Sequence, residues 1–262
     1  MSHHWSFRNA CCLLLTTSDH FYLLSIGLMH TAAARLGQAV QLAFSLDLHK
    51  DSKTQGLDAV EVQLRRRVFW QLYASDKYVT TQARSLTCRR TRAIFGNPML
   101  INDFQGVCSY PEATDDEFIT SQGMFPQPAS KTSLLAGFVA VSKLFRILSE
   151  CFFHDRCIRS QLQTISLDWT SDADDRVHDV LRDLPAAIQD PNTVPLEENR
   201  QGFATQRANI LITVAIVKFA LVSTHPTCSC SHCSMISAQH CTSRRNSSAS
   251  SANPSPARST TS

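Results

Sequence analysis

Residues 58–78, "DAVEVQLRRRVFWQLYASDKY", open on an acidic residue, set three arginines against a Phe-Trp pair and close on Asp-Lys. Asp58 followed three positions on by Glu61 spells a capping box, and Leu57 with Val62 supplies the hydrophobic staple around it, so the spacing predicts a helix starting at Ala59. Running to about Val79, it would span roughly 30 Å at about 1.5 Å per residue. Leu64, Val68, Leu72 and Ser75 share one face, and Phe69, Tyr73 and Asp76 form the adjoining stripe. Two neighbouring apolar faces belong to a helix inside a bundle. Each residue turns the helix by about 100°, so Arg65, Arg66 and Arg67 fan over about 200° and cannot all meet one phosphate backbone. Arg65 sits one turn beyond Glu61, as for a helix-surface ion pair, and Arg66 one turn before Trp70, as for a cation-π contact. The arginines read as structural.

Helical spacing continues on both sides. Leu28, Ala32, Leu36, Val40 and Ala43 mark an amphipathic helix that ends near "SLDLHKDS". Leu134, Phe138, Val141, Phe145, Leu148 and Phe152 mark another, and further helices are expected over 156–166, 174–184 and 203–222. Between them, residues 84–133 carry Gly96, Asn97, Pro98, Pro111, Pro126 and Pro128, which spells turns and a long extended connection. Asp115 and Asp116 read as caps for a helix near 117. No period-two run bounded by hairpin turns occurs, so the fold class is all-α, a multi-helix bundle-like domain with a long central connection. Residues 1–20 are expected to be a poorly ordered segment, 21–222 the helical domain. The last forty residues, 223–262, hold thirteen serines and almost no large apolar side chains, the composition of a disordered tail.

With 262 residues, 43% of them hydrophobic, the chain buries one sizeable core or two small ones. A net charge of +3 leaves no whole-molecule field toward nucleic acid or an anionic membrane. Ten cysteines scattered through a chain of this length, without a signal-peptide pattern at its start, are read as mostly free thiols in a reducing compartment. The apolar segment 208–222 is shorter than a bilayer demands and carries Lys218, so it is expected to be a buried core helix and no membrane partner is inferred.

The motif of residues 61–78 resembles the most recognisable helix of the fungal-specific transcription factor domain, the regulatory middle region of fungal binuclear zinc cluster regulators. Its matching residues are Glu61, Arg65, Arg66, Arg67, Phe69, Trp70, Tyr73, Asp76 and Lys77. Upstream, "LDLHKD" resembles the family's Leu-Gly-Leu-His-Arg-Asp at Leu46, Leu48, His49, Lys50 and Asp51, with Asp47 in place of glycine. Downstream, Gly96, Pro98, Ile101, Pro111, Asp115 and Asp116 resemble its Gly-Arg-Pro and acidic segment, with Asn97 in place of arginine. The resemblance covers about residues 25–222 and is most specific over 39–119. Residues 79–95 are longer than the family's usual spacer, and Arg84, Arg89, Arg90 and Arg92 there suit either an exposed insertion or a nuclear-import or phosphate patch.

The resemblance implies a nuclear, non-enzymatic helical domain that shifts between packed states in response to a metabolite or a partner. Its implied partners are other transcription regulators or a full-length paralogue, with a homodimer left open. Zinc, in the family, belongs to an N-terminal six-cysteine cluster that reads DNA; here only Cys11 and Cys12 precede Cys88, too few thiolates for that site. DNA is therefore expected to be reached only through a module outside this chain, and no cofactor is assigned within it. The alternative is a truncated helical interaction protein that titrates a full-length regulator. In the tail, Cys228, Cys230, His232, Cys233, His240 and Cys241 offer soft ligands for a metal, but at no known finger spacing and without apolar residues for a mini-core. The chain lacks the G-x-S-x-G, phosphate-loop and H-E-x-x-H patterns, and His49, His154 and His178 are isolated, so no catalytic residues are assigned.

Overall fold

A computed structural model describes residues 7–85, 99–159, 167–195 and 197–224. The tail cysteines and histidines, Gly96, Pro98, and Arg89, Arg90 and Arg92 lie outside these residues.

Helix α1, Phe7–Ser25, occupies most of the segment expected to be poorly ordered. It is held because one side of it is core: Leu13, Thr17 and His20 are buried. Its C-terminus turns at Gly27, where φ of +79° needs glycine, into α2, Met29–Ser45. His20 Nδ1 donates to Ala32 O at 2.8 Å and ties the two helices. The α2 face is buried at Ala32, Leu36, Ala39, Val40 and Ala43, but Leu28, counted with it by spacing, precedes the first turn and is half exposed.

Helix α3, Ala59–Ser85, starts where the capping residues predict. Asp58 Oδ1 accepts from the Glu61 N–H at 2.8 Å, while the Glu61 side chain turns forward to Arg65. The helix continues beyond Val79, and Val79 and Thr80 are buried, so the first residues of the 79–95 run extend the packed helix. Leu64 is exposed and Gln63 buried, the reverse of the apolar pattern, because the central connection lies against Gln63.

The connection contains 3₁₀ turns at Asp103–Gln105 and Asp116–Phe118 and a two-residue antiparallel pair, β1 Ile119–Thr120 and β2 Gly123–Met124, with Ile119 opposite Met124. Strands this short carry no alternation for a sequence reading to detect. Asp115 and Asp116 cap nothing with their side chains. Asp115 pairs with Lys131 at 3.3 Å and Asp116 with Arg67, since both face cations brought in by other segments.

Beyond it stand α4 Leu135–Arg159, α5 Leu167–Arg182, the single turn α6 Ala186–Gln189, and α7 Glu197–Thr224. Residues 156–159 continue α4 rather than opening a new helix, and 160–166 lie outside the described residues. The molecule is a mostly α-helical bundle whose core joins Leu36, Phe69, Trp70, Leu72 and Tyr73 to Leu144, Leu148 and Ile210. Helix α7 is not the buried core helix that its composition suggests: Leu211, Ile212, Phe219 and Val222 are 50–74% exposed. Only one side of it meets the bundle.

Helices α4 and α7 approach closely at Gly137, where an added Cβ would stand 2.5 Å from Gln206 Oε1 and 2.8 Å from Gln206 Cβ. The carboxamide can swing away; the Cβ can move only with its helix. Gly137→Ala is therefore expected to lose about 1–3 kcal/mol in urea unfolding, with little rescue from Gln206→Ala.

Candidate functional site

Along α3, residues 63, 66, 67, 70, 73, 76 and 77 recur at helical spacings and share a broad side. Each holds a point on the connection. Gln63 Oε1 accepts from the Glu112 N–H at 2.9 Å. Arg67 donates to Asp116 and, at 3.4 Å, to Thr114 O. Arg66 donates to Asp51 Oδ1 through Nε at 3.3 Å and Nη2 at 3.0 Å, and Asp51 Oδ2 accepts from Ser109 N at 2.7 Å and Oγ at 2.6 Å. Trp70 Nε1 donates to Ser109 O at 3.0 Å, and its ring stacks on Tyr110 with centroids 4.3 Å apart. The Tyr73 hydroxyl donates to Asp103 Oδ1 at 2.6 Å. Asp76 accepts from the N–H groups of Leu100 and Ile101 at 3.0 and 3.1 Å, and Lys77 donates to Asp76 Oδ2 at 2.9 Å and to Ile101 O.

As α3 advances from Arg67 to Lys77 its partners run back from Asp116 through Ser109 and Asp103 to Leu100 and Ile101, so the connection lies antiparallel along this part of the helix. A helix has no free backbone groups mid-span to pair with an extended chain, so side chains must satisfy that chain's buried N–H and C=O groups. That requirement explains polar residues at the centre of an apolar motif. Asp103 extends the clamp to α4, accepting from Arg146 Nε at 3.3 Å and Ser149 Oγ at 3.4 Å.

The electrostatics are those of a dry joint. The Lys77 and Asp76 side chains are 0% and 2% exposed. Burial pulls the Lys77 ammonium below the usual lysine range, opposed by Asp76, and the ammonium sits 4.3 Å from the Tyr73 ring centroid. Burial, with Asp103 adding to it, pushes the Tyr73 phenol far above its ordinary value. Burial alone would raise the Asp51 carboxyl, but the bonds from Ser109 and Arg66 outweigh it and hold the group below the usual carboxylate range. The Cys108 thiol is pushed up to about 12 by burial, with Asp51 adding to the effect.

Cys108 makes a pH prediction. Below pH 9 the thiol is protonated both folded and unfolded; between 9 and 12 the unfolded thiol ionises first, so the folded state loses stability as pH rises. Cys108→Ala is expected to flatten that decline by up to about 1.4 kcal/mol per pH unit, measured by urea unfolding at a series of alkaline pH values. Tyr73 and Tyr110, both raised, leave a residual slope of the same sign.

The motif residues within the described segments gather at this joint or directly beneath it. Phe69 and Leu48 are core. His49 is buried against the Phe44 ring, centroids 4.8 Å apart, and burial keeps its imidazole below the ordinary value. Arg65 does pair with Glu61 at 3.2 Å, but its side chain is 7% exposed, so this is not a surface pair. Arg66, one turn from Trp70, is drawn instead to Asp51, a full negative charge within reach. Sequence reasoning missed Gln63, Asp103, Ser109 and Tyr110 and gave Asp51 no role; only a polar residue at an apolar position, as at Gln63, carried a local signal. Among the described residues no group of three or more His, Cys, Asp or Glu is placed to hold a metal ion, and Cys12, Cys108, Cys151 and Cys157 form no disulfide.

Residues 10–184 match the family model described as the fungal specific transcription factor domain. The chain is similar to the transcriptional activator protein acu-15 of Neurospora crassa, 30% identical over 114 residues, which is 44% of this chain and 11% of that protein. It is also similar to the pyrimidine pathway regulatory protein 1 of Saccharomyces cerevisiae, 29% identical over 110 residues, 38% of this chain and again 11% of the relative. The matched region is thus about a ninth of either relative's length. No solved structure matches the chain.

Proposed function

The chain belongs to the fungal specific transcription factor domain family, and from that premise we propose that it is the regulatory helical part of a nuclear transcription regulator, acting through contacts with other regulators. The observation that carries the reading is the clamp: six of the family-motif residues, Arg66, Arg67, Trp70, Tyr73, Asp76 and Lys77, bind the connection to α3, Arg66 through Asp51. A connection attached through side chains alone can be released as a unit without unravelling the helix beneath it, as a switching element requires. The role assigned to Arg65, Arg66 and Arg67 is bracing, and no DNA-reading or zinc-binding role is assigned to the described residues.

The test fuses the full chain to a heterologous DNA-binding module and follows a reporter gene in fungal nuclei. The fusion is expected to change reporter output relative to the module alone. Asp51→Asn, which weakens the Arg66–Ser109 bridge while leaving the core intact, is expected to change it further. Output equal to that of the module alone, from a fusion that accumulates in the nucleus, sinks the proposal.

A further inference from the structure

The acidic turn of the connection reads "ATDDEF" over residues 113–118, so Thr114 is followed by Asp115, Asp116 and Glu117. A hydroxyl with carboxylates at the next three positions is the substrate pattern of protein kinases whose peptide groove is lined by lysine and arginine, because those cations pair with the acidic side chains that follow the acceptor. The pattern alone is common. Among the described residues Thr16, Ser109 and Ser171 also have a carboxylate three positions on, at Asp19, Glu112 and Asp174. Thr16 and Ser171 lie inside α1 and α5, whereas a kinase groove takes its substrate extended. The Ser109 hydroxyl is held by Asp51.

Thr114 meets both requirements. Residues 106–115 form neither helix nor strand, and Asp115 has extended backbone angles, φ −68° and ψ 151°. The joint holds Thr114 by its carbonyl, at Arg67 Nη2, and among the described residues its hydroxyl has no partner. The 3₁₀ turn Asp116–Phe118 carries no side-chain cap. The Asp116 and Glu117 side chains are 82% and 58% exposed, and exposed ion pairs hold weakly. This turn therefore opens to a kinase groove more readily than a helix does.

We propose that Thr114 is a phosphorylation site for an acidic-directed protein kinase, and that the phosphate frees the turn Asp116–Phe118 from α3. In the transfer the Thr114 oxygen bonds to the γ-phosphorus of ATP, and the bond from that phosphorus to the β-phosphate oxygen breaks. ADP leaves, and the hydroxyl proton passes to the kinase's catalytic aspartate. The phosphate adds a charge of about −1.5 to −2 to a stretch that already sets Glu112, Asp115, Asp116 and Glu117 against Arg67 and Lys131. Arg67 is divided between Asp116 and Thr114 O. A phosphate that draws the guanidinium takes it from Asp116, and one that does not repels Asp116; in both cases the turn loses its anchor. The other end of the connection stays held by Asp76 and Lys77 at Leu100 and Ile101.

The proposal rests on the reading of the connection as a releasable element. Its test uses the purified chain and no reporter gene, so either can fail without the other. The full 262-residue chain is incubated with ATP, Mg²⁺ and an acidic-directed kinase, one that requires a carboxylate three residues beyond its acceptor, and phosphate is mapped by peptide mass spectrometry. Phosphate is expected on Thr114 ahead of Thr16, Ser109 and Ser171. Thr114→Ser should keep the modification and Thr114→Ala remove it. Glu117→Gln should slow it by about tenfold, as for the loss of one charge-assisted hydrogen bond.

In the phosphorylated chain, hydrogen exchange should rise several-fold at Asp115 and Phe118, whose N–H groups are held by Gln127 Oε1 and Asp115 O, and stay unchanged at Leu100 and Ile101. An unmodified Thr114, faster transfer to any of the other three hydroxyls, or a rate indifferent to Glu117→Gln overturns the site. Exchange that is unchanged or slower at Asp115 and Phe118 overturns the release.

Discussion

Asp76→Ala is expected to cost about 3–5 kcal/mol of folding stability, a large share of what a domain of this size possesses. The substitution strands the Lys77 ammonium, whose side chain is 0% exposed, without its carboxylate. It also leaves the N–H groups of Leu100 and Ile101 without acceptors. Adding Lys77→Met should recover part of the loss, since it removes the orphaned charge but not the two orphaned donors. Asp76→Asn should fall between, keeping one acceptor oxygen. Urea unfolding of the four proteins decides the matter: a single variant within error of the parent would mean that Asp76 does not anchor the connection. Hydrogen exchange at Leu100 and Ile101 should accelerate in every variant that lacks the acceptor, including the double one.

Trp70→Ala is expected to have a similar effect, about 3–5 kcal/mol, because a fully buried indole packed among Phe69, Tyr73 and Tyr110 leaves a cavity when it is removed. Part of the loss is specific to the clamp: the indole N–H to Ser109 O and the stack on Tyr110 hold the middle of the connection. Trp70→Phe separates the terms, retaining most of the ring while leaving Ser109 O without its donor, at about 1–2 kcal/mol beyond the change in size. Opening detected by hydrogen exchange should centre on residues 108–110 in the Trp70 variants and on 100–101 in the Asp76 variants. Identical opening patterns would show a connection that detaches only as a whole. An absence of opening in both would show that it is held by other contacts.

Much of the architecture was readable from spacing. The start of α3 at Asp58, the buried stripe of α2 and the run of α4 from Leu135 follow from capping chemistry and 3.6-residue periodicity, both local properties. The motif that identifies the family is local too, because Trp70, Tyr73, Asp76 and Lys77 lie on one helix. Readings failed where burial depended on another segment. Leu28 and Leu64 carry the right periodicity and are exposed; Arg65 and Lys77 carry charge and are buried. The α7 segment is apolar all round, and composition could not distinguish a helix surrounded by protein from one covered on a single side.

The sequence by itself determined that this chain is a helical bundle, where α2, α3 and α4 begin, and to which family its motif helix belongs, since each rests on residues within a few turns of one another; α1, read as poorly ordered, and the starts of α5 and α7, at Leu167 and Glu197 rather than 174 and 203, it did not. Only the tertiary structure decided what the motif is for. The partners of Arg66, Trp70, Tyr73, Asp76 and Lys77 are reached across 15 to 39 residues, and the Asp51–Ser109 link across 58. Periodicity records which way a side chain faces along its own helix; it holds no record of the extended chain folded back upon it. That chain, by bringing backbone donors and acceptors into a dry joint, makes a buried aspartate and lysine necessary where helical periodicity alone calls for apolar residues.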